Sequence, residues 1–109
     1  MPVIDADRIP VTQSKWRTSR VIISPERFDS HHMFVSLNEL FKGAAHEEHT
    51  HSVDELLIVL DGQGVYEGEG GSHRIGPMSA VYVPKDTPHK VKGVGNIPLK
   101  LIVIKAPPE

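Results

Sequence analysis

The sequence predicts an all-β fold, and three observations carry that prediction. Apolar runs are short, four to six residues, rich in Val, Ile and Leu, and closely spaced. Nine glycines and nine prolines punctuate the chain between them. No segment keeps a helical period for three turns.

The runs follow one another in order. "RVIIS" (20–24) stops at Pro25, and "MFVSL" (33–37) follows the pair His31 and His32. "ELLIVL" (55–60) ends at "DGQG", and "GVYEGE" (64–69) ends at Gly70 and Gly71. "SAVYV" (79–83) ends at "PKDTP", and "LKLIVI" (99–104) precedes "APPE". Both "DGQG" and "EGEGG" read as hairpin turns, because glycine accepts positive φ without strain. The best helical candidate is "SLNELFKGAAHEE", which Gly43 cuts to one turn at most. At the start, "PVID" is a candidate edge strand within an entry arm. At the far end "APPE" reads as a frayed tail. Met33 and Met78 read as core fillers.

Bulk properties exclude several classes of function. A chain of 109 residues is the size of one domain. A net charge of -2 argues against nucleic acid, whose phosphates need clustered Lys and Arg. The chain has no cysteine, so disulfides, zinc-thiolate sites and a cysteine nucleophile are out. No apolar stretch is long enough to span a membrane. A cytoplasmic protein is the expectation. Histidine is the outlier: seven stand against six aromatic residues. Such a balance points to metal, proton transfer or chance.

The stretch "HEEHTHSVDELLIVLDGQG" (46–64) concentrates that chemistry. His49 and His51 are two apart, which in a strand puts both on one face. A three-residue loop at Ser52, Val53 and Asp54 would set residue 51 opposite residue 55. Glu55 would then share the histidines' face. Two nitrogens and a carboxylate would lie within reach of one ion. The alternative is a solvated hairpin tip. A fourth group should come from a distant strand, and His89, in a turn stiffened by Pro84 and Pro88, is the best candidate. His46 reads as solvated. Of His31 and His32, alternation sends one inward, where it would line the pocket. His73, beside the glycine turn, reads as exposed. Within 55–60, Leu57 and Val59 share one face with Glu55, while Leu56, Ile58 and Leu60 share the other. A strand apolar on both faces needs two covers, one of them a second sheet layer or a second copy of the chain, and a homodimer is expected.

These residues carry a resemblance. "GAAHEEHTHSVDELLIVLDG" (43–62) resembles the first motif of the cupin superfamily: Gly, five residues, His-x-His, three or four residues, Glu, six residues, Gly. Gly43, His49, His51, Glu55 and Gly62 match every fixed position. The second motif is Gly, five residues, Pro-x-Gly, two residues, His, three residues, Asn. Here only Pro84 and His89 match. Met78 and Asp86 stand where glycines are expected, and Gly93 replaces the Asn. The two motifs and the segment between them cover about half the chain.

The resemblance implies a single cupin domain over 1–109, with an arm over about 1–18 and a double-stranded β-helix, or jelly-roll barrel, over about 19–105. By position it implies His49, His51, Glu55 and His89 as ligands for Mn, Fe, Ni, Co or Zn, in a site with open positions. A metal-dependent enzyme is expected, acting on a small organic substrate. Dioxygenase, decarboxylase and isomerase or cyclase chemistry are all open, and Glu55 is either a lasting ligand or a base. The alternative is a non-catalytic module that binds or senses a metabolite or sugar. The apolar β-strand faces predict a mostly hydrophobic pocket.

Overall fold

The computed structural model describes residues 2–43 and 49–109. Among the described residues, nine strands build two antiparallel sheets. They are β1 (Thr12–Gln13), β2 (Arg17–Ile23), β3 (Phe34–Leu40), β4 (Asp54–Asp61), β5 (Gly64–Gly68), β6 (Gly71–Ile75), β7 (Ala80–Val83), β8 (Lys90–Gly93) and β9 (Leu99–Ala106). The larger sheet runs β1-β2-β3-β9-β4-β7 and the smaller β6-β5-β8. The core lies between them: Leu57, Val59, Leu99 and Leu101 of the larger sheet form one cluster with Tyr66, Ile75 and Val91 of the smaller. This is the jelly-roll architecture that the sequence led us to expect.

Strand alternation is clean. On β4, Glu55, Leu57 and Val59 are buried, while Leu56 and Ile58 are half-buried and Leu60 is exposed. The inward and outward faces thus fall as their spacing dictates. On β3 the buried positions are Ser36, Asn38 and Leu40.

Several expectations fail for tertiary reasons. Residues 36–40 belong to β3 and not to a helical turn, because β3 is hydrogen-bonded on both sides, by β2 and by β9. That ladder outweighs local helix propensity. "DGQG" is not a hairpin: β4 pairs with β7 and β9, and β5 pairs with β6 and β8, so this turn carries the chain from one sheet to the other. "EGEGG" does make a hairpin, closing β5 on β6 with Gly68 opposite Gly71. "PVID" forms no strand; a 3-10 turn at Ala6–Arg8 and the two-residue β1 follow it. Met33 and Met78 are exposed, not core. Too polar to read as strands, β6 and β8 are defined by pairing with β5.

Two non-glycine residues explain how the imperfect second motif keeps its shape. Met78 has φ 74° and Asp86 has φ 63°. Both are left-handed, and both stand where the cupin pattern has glycine. The turns survive without the residue that makes them cheap. Gly62 shows the opposite case. Its φ is +81°, and a Cβ there would lie 2.4 Å from the Pro98 carbonyl oxygen. No side chain fits.

Met78 is 93% exposed, so its side chain contributes little to set against its backbone strain. Met78→Gly should therefore raise stability by about 1 kcal/mol. Gly62→Ala should lower it by at least about 2 kcal/mol, through backbone strain and the clash together. Urea denaturation midpoints at unchanged slope measure both; a destabilised Met78→Gly would show that the methionine side chain contributes more than its exposure suggests.

Candidate metal centre

The sequence predicted that His49 and His51 would fold back on β4. They pair instead with the second motif. His49 N–H donates to the His89 carbonyl and His89 N–H donates to the His49 carbonyl, each at 3.0 Å. This antiparallel bridge places His49 beside the entry to β8. The Asp86 N–H donates to the His51 carbonyl at 2.7 Å, and the Lys85 N–H donates to Asp54 Oδ1 at 3.0 Å. The left-handed turn at Asp86 is thus clamped to the histidine loop, and the two motifs brace each other. Glu55 arrives separately, from the inward face of β4, between Val83 and Lys105.

All four predicted groups meet. The rings of His49 and His89 lie 4.3 Å apart, those of His49 and His51 4.8 Å, and those of His51 and His89 5.3 Å, centre to centre. One nitrogen from each ring lies within 4.8 Å of the others. Donors around one ion at about 2.1 Å lie between about 3 and 4.2 Å apart, so the rings would draw together to close on an ion. Glu55 reaches the same point. Its Oε1 is 3.2 Å from His89 Nε2 and its Oε2 is 3.4 Å from His51 Nε2. Adjacent donors on such an ion sit about 3 Å apart.

Proton accounting makes the fit specific. His89 Nδ1 is 2.9 Å from the Thr87 carbonyl oxygen, which can only accept, so Nδ1 donates. His51 Nδ1 is 2.7 Å from Glu109 Oε1 and donates to that carboxylate. Each ring therefore leaves its Nε2 for the oxygens of Glu55. A buried carboxylate there calls for positive charge beside it, supplied by protons on the rings or by a metal ion. Burial opposes ionisation of Glu55, but the His89 hydrogen bond and the charges of His51, His89 and Lys105 outweigh it and hold the carboxyl below its ordinary value. Tyr66 packs behind His89, ring on ring at 6.4 Å, and burial pushes its phenol up.

The four side chains line a cavity of about 410 Å³. That is ample for a small organic molecule. Its lining corrects the expectation of a mostly hydrophobic pocket. Leu57, Leu101 and Val103 line one side, but Arg17, Ser19, Ser36 and Asn38 line another, and Lys105 stands near Glu55. The apolar reading rested on β4; β2 and β3 supply the polar wall. Alternation along "FVSLNEL" already put Ser36 and Asn38 on one face with Phe34 and Leu40, and two polar residues there are the signal that could have revealed it. His31 and His32 do not line the cavity. Both are exposed in the loop before β3, and His31 Nε2 lies 2.7 Å from Asp29 Oδ1. His73 is exposed, as expected, and His46 lies outside the described residues.

The residue that sequence reasoning missed outright is Glu109. "APPE" is docked rather than frayed at its last residue. Besides His51, Glu109 accepts from the Ser52 N–H at 2.9 Å and lies 3.4 Å from Lys105 Nζ. Its carboxyl falls from 4.5 to about 2, first through the Ser52 N–H and, against some burial, through the hydrogen bond and charge of His51. No local pattern marks a glutamate after two prolines for such a role.

Comparison with known proteins bears on the whole arrangement. The chain belongs to the cupin family: the profile of the cupin domain matches residues 37–105. Dimethylsulfoniopropionate lyase DddW from Ruegeria pomeroyi is 27% identical over 94 residues, 79% of this chain and 60% of that protein. The uncharacterized protein MJ1618 of Methanocaldococcus jannaschii is 31% identical over 55 residues, 50% of this chain and 44% of that one. The chain thus spans about half the length of the curated relatives it matches. Among solved structures, KdgF from Halomonas sp. superposes with a TM-score of 0.88 at 16% identity, over 100% of this chain and 96% of that chain. Oxalate decarboxylase from Bacillus subtilis, a protein with Mn(II) centres, gives 0.81 at 17% identity, over 95% of this chain and 29% of its own. At these identities the structural likeness is one of fold. No helix among the described residues is long and apolar enough to cross a membrane.

The lowered value of Glu109 has a direct consequence for stability. A carboxyl whose folded value lies below its unfolded one stabilises fully above the unfolded value, and that stabilisation is lost as pH falls through the folded value. The stability gap between the parent chain and Glu109→Gln should be flat above about pH 4.5 and should close as pH falls toward 2. Denaturation midpoints between pH 2 and 6 measure it. A gap independent of pH would mean that the contact does not need the charge.

Proposed function

We propose that the protein is a metal-dependent enzyme acting on a small, oxygen-rich organic anion, with His49, His51, Glu55 and His89 as the metal ligands. The observation that carries this reading is the convergence of the four groups: Nε2 of both His51 and His89 faces the Glu55 carboxylate, each Nδ1 is committed elsewhere, and His49 stands within the same cluster. Three imidazoles and one carboxylate suit Mn, Fe, Ni, Co or Zn. A divalent ion there would polarise substrate oxygens, supporting oxidative chemistry with Fe or Mn and enolate chemistry with Zn or Ni.

The chain's own residues supply the rest. Arg17 and Lys105 give the cavity positive charge, which favours an anionic substrate. Ser19, Ser36 and Asn38 offer hydrogen bonds to its oxygens, and Leu57, Leu101 and Val103 exclude water. Glu55 either keeps the ion or takes a proton from the substrate. That a relative is a dimethylsulfoniopropionate lyase, and a structural neighbour an oxalate decarboxylase, supports small-acid chemistry. The rival reading is a module that binds such an anion without turnover.

Two experiments test this. Protein purified without added metal and then exposed to Mn, Fe, Ni, Co and Zn should take up about one equivalent, and His49→Ala should lose it. Retention of less than a tenth of an equivalent, with no tight rebinding, sinks the proposal; uptake and anion binding with no turnover of a panel of small acids selects the rival.

We also propose a homodimer through the outer face of the larger sheet. Leu56 stands beside Tyr82 and Ile104 there, and Ile58 beside Ile102. Leu60 and Tyr82 are 45% and 62% exposed. Sedimentation equilibrium should report a dimer, and Ile58→Glu a monomer that still takes up metal. A monomeric parent chain at micromolar concentration refutes it.

A further inference from the structure

We propose that Glu109 is a positioning residue for the metal centre: acting on His51 Nδ1, it fixes that ring's tautomer and direction, so that the segment after β9 sets metal affinity. This rests on the metal-centre reading above.

The two histidines whose Nδ1 partners are known are held differently. His89 is 1% exposed and its Nδ1 is fixed by a carbonyl two residues away, Thr87. His51 is 17% exposed and lines the cavity. An imidazole at such a place can rotate and can carry its proton on either nitrogen. Glu109 removes that freedom. Its Oε1 lies 2.7 Å from Nδ1, and an ionised carboxylate only accepts, so Nδ1 carries a proton and Nε2 is the nitrogen left to ligate a metal ion.

The carboxylate is itself held. Its Oε2 accepts from the Ser52 N–H at 2.9 Å and lies 3.4 Å from Ser52 Oγ, while Oε1 lies 3.4 Å from Lys105 Nζ. Pro107 and Pro108 restrict the backbone between β9 and Glu109, lowering the entropy lost when the side chain docks. Lys105 also pairs across the sheet with Glu55. The end of β9 and the segment after it therefore reach the centre from two sides, through Lys105 beside Glu55 and through Glu109 behind His51. A hydrogen-bonded carboxylate behind a ligating imidazole raises its basicity and fixes its aim, and losing such a partner costs about 10- to 100-fold in metal affinity.

The test uses the full chain and Zn²⁺. Glu109→Ala should bind Zn²⁺ about 10- to 100-fold more weakly than the parent chain. Glu109→Gln, whose amide oxygen can still accept from Nδ1, should fall between them. In the Zn²⁺-saturated protein, proton NMR should show a slowly exchanging His51 Nδ1–H in the parent chain that is lost in Glu109→Ala, while that of His89 persists. A merely structural role for the tail would not single out one ring. Should Glu109→Ala fold poorly, Glu109→Gln carries the affinity readout, and in that variant Zn²⁺ affinity equal to the parent's overturns the inference. Equal Zn²⁺ affinity, or weaker affinity with the His51 signal unchanged, overturns the inference. A parent chain that binds no Zn²⁺ overturns it together with the metal-centre reading, whereas a parent that binds and variants that match it overturn this inference alone.

Discussion

Four side chains able to hold a cation converge on one point, and the rest of the structure can be understood from that. Glu55 brings in a buried carboxylate, which would be costly without positive charge beside it. His51 and His89 each commit Nδ1 away from that point and turn Nε2 toward it. Positive charge at the centre, as ring protons or as a metal ion, stabilises the arrangement.

The barrel is the means of holding those groups together against their mutual repulsion. Glu55 is fixed by β4, in the middle of a sheet hydrogen-bonded on both sides. His49 and His89 are locked to each other by a reciprocal backbone pair on the opposite sheet. Neither motif alone makes a site. The two sheets close over one core, and the ligands face each other across it. The clamp between Asp86 and the His51 carbonyl shows why the second motif tolerates its departures. Asp86 and Met78 adopt left-handed backbone without glycine because surrounding hydrogen bonds fix the turn.

Much of the fold and of the centre was legible in the residues. The spacing of His49, His51 and Glu55, with His89 in register, named the four groups that meet. The route to that meeting was not legible. A local hairpin at Ser52 to Asp54 looked sufficient, yet the chain pairs His49 with His89 instead, across a long sequence separation. Local spacing cannot say which distant strand a segment joins. The same limit hid β6 and β8, which are strands because β5 lies between them. It also misassigned Ser36 to Leu40, where helix propensity is locally acceptable and the ladder to β2 and β9 decides.

By itself, then, the sequence determined periodicity and chemistry: which residues alternate inward along β4 and which side chains can donate to a transition metal. These follow from bond geometry and ionisation, which act within a few residues. Only the tertiary structure decided what lies behind and beside the ligands: Glu109 on the outer nitrogen of His51, Lys105 next to Glu55, and Arg17 and Ser19 of β2 in the same cavity as Glu55. Those contacts join segments far apart in the chain. Closure of the sheets makes them neighbours, and no local pattern records that.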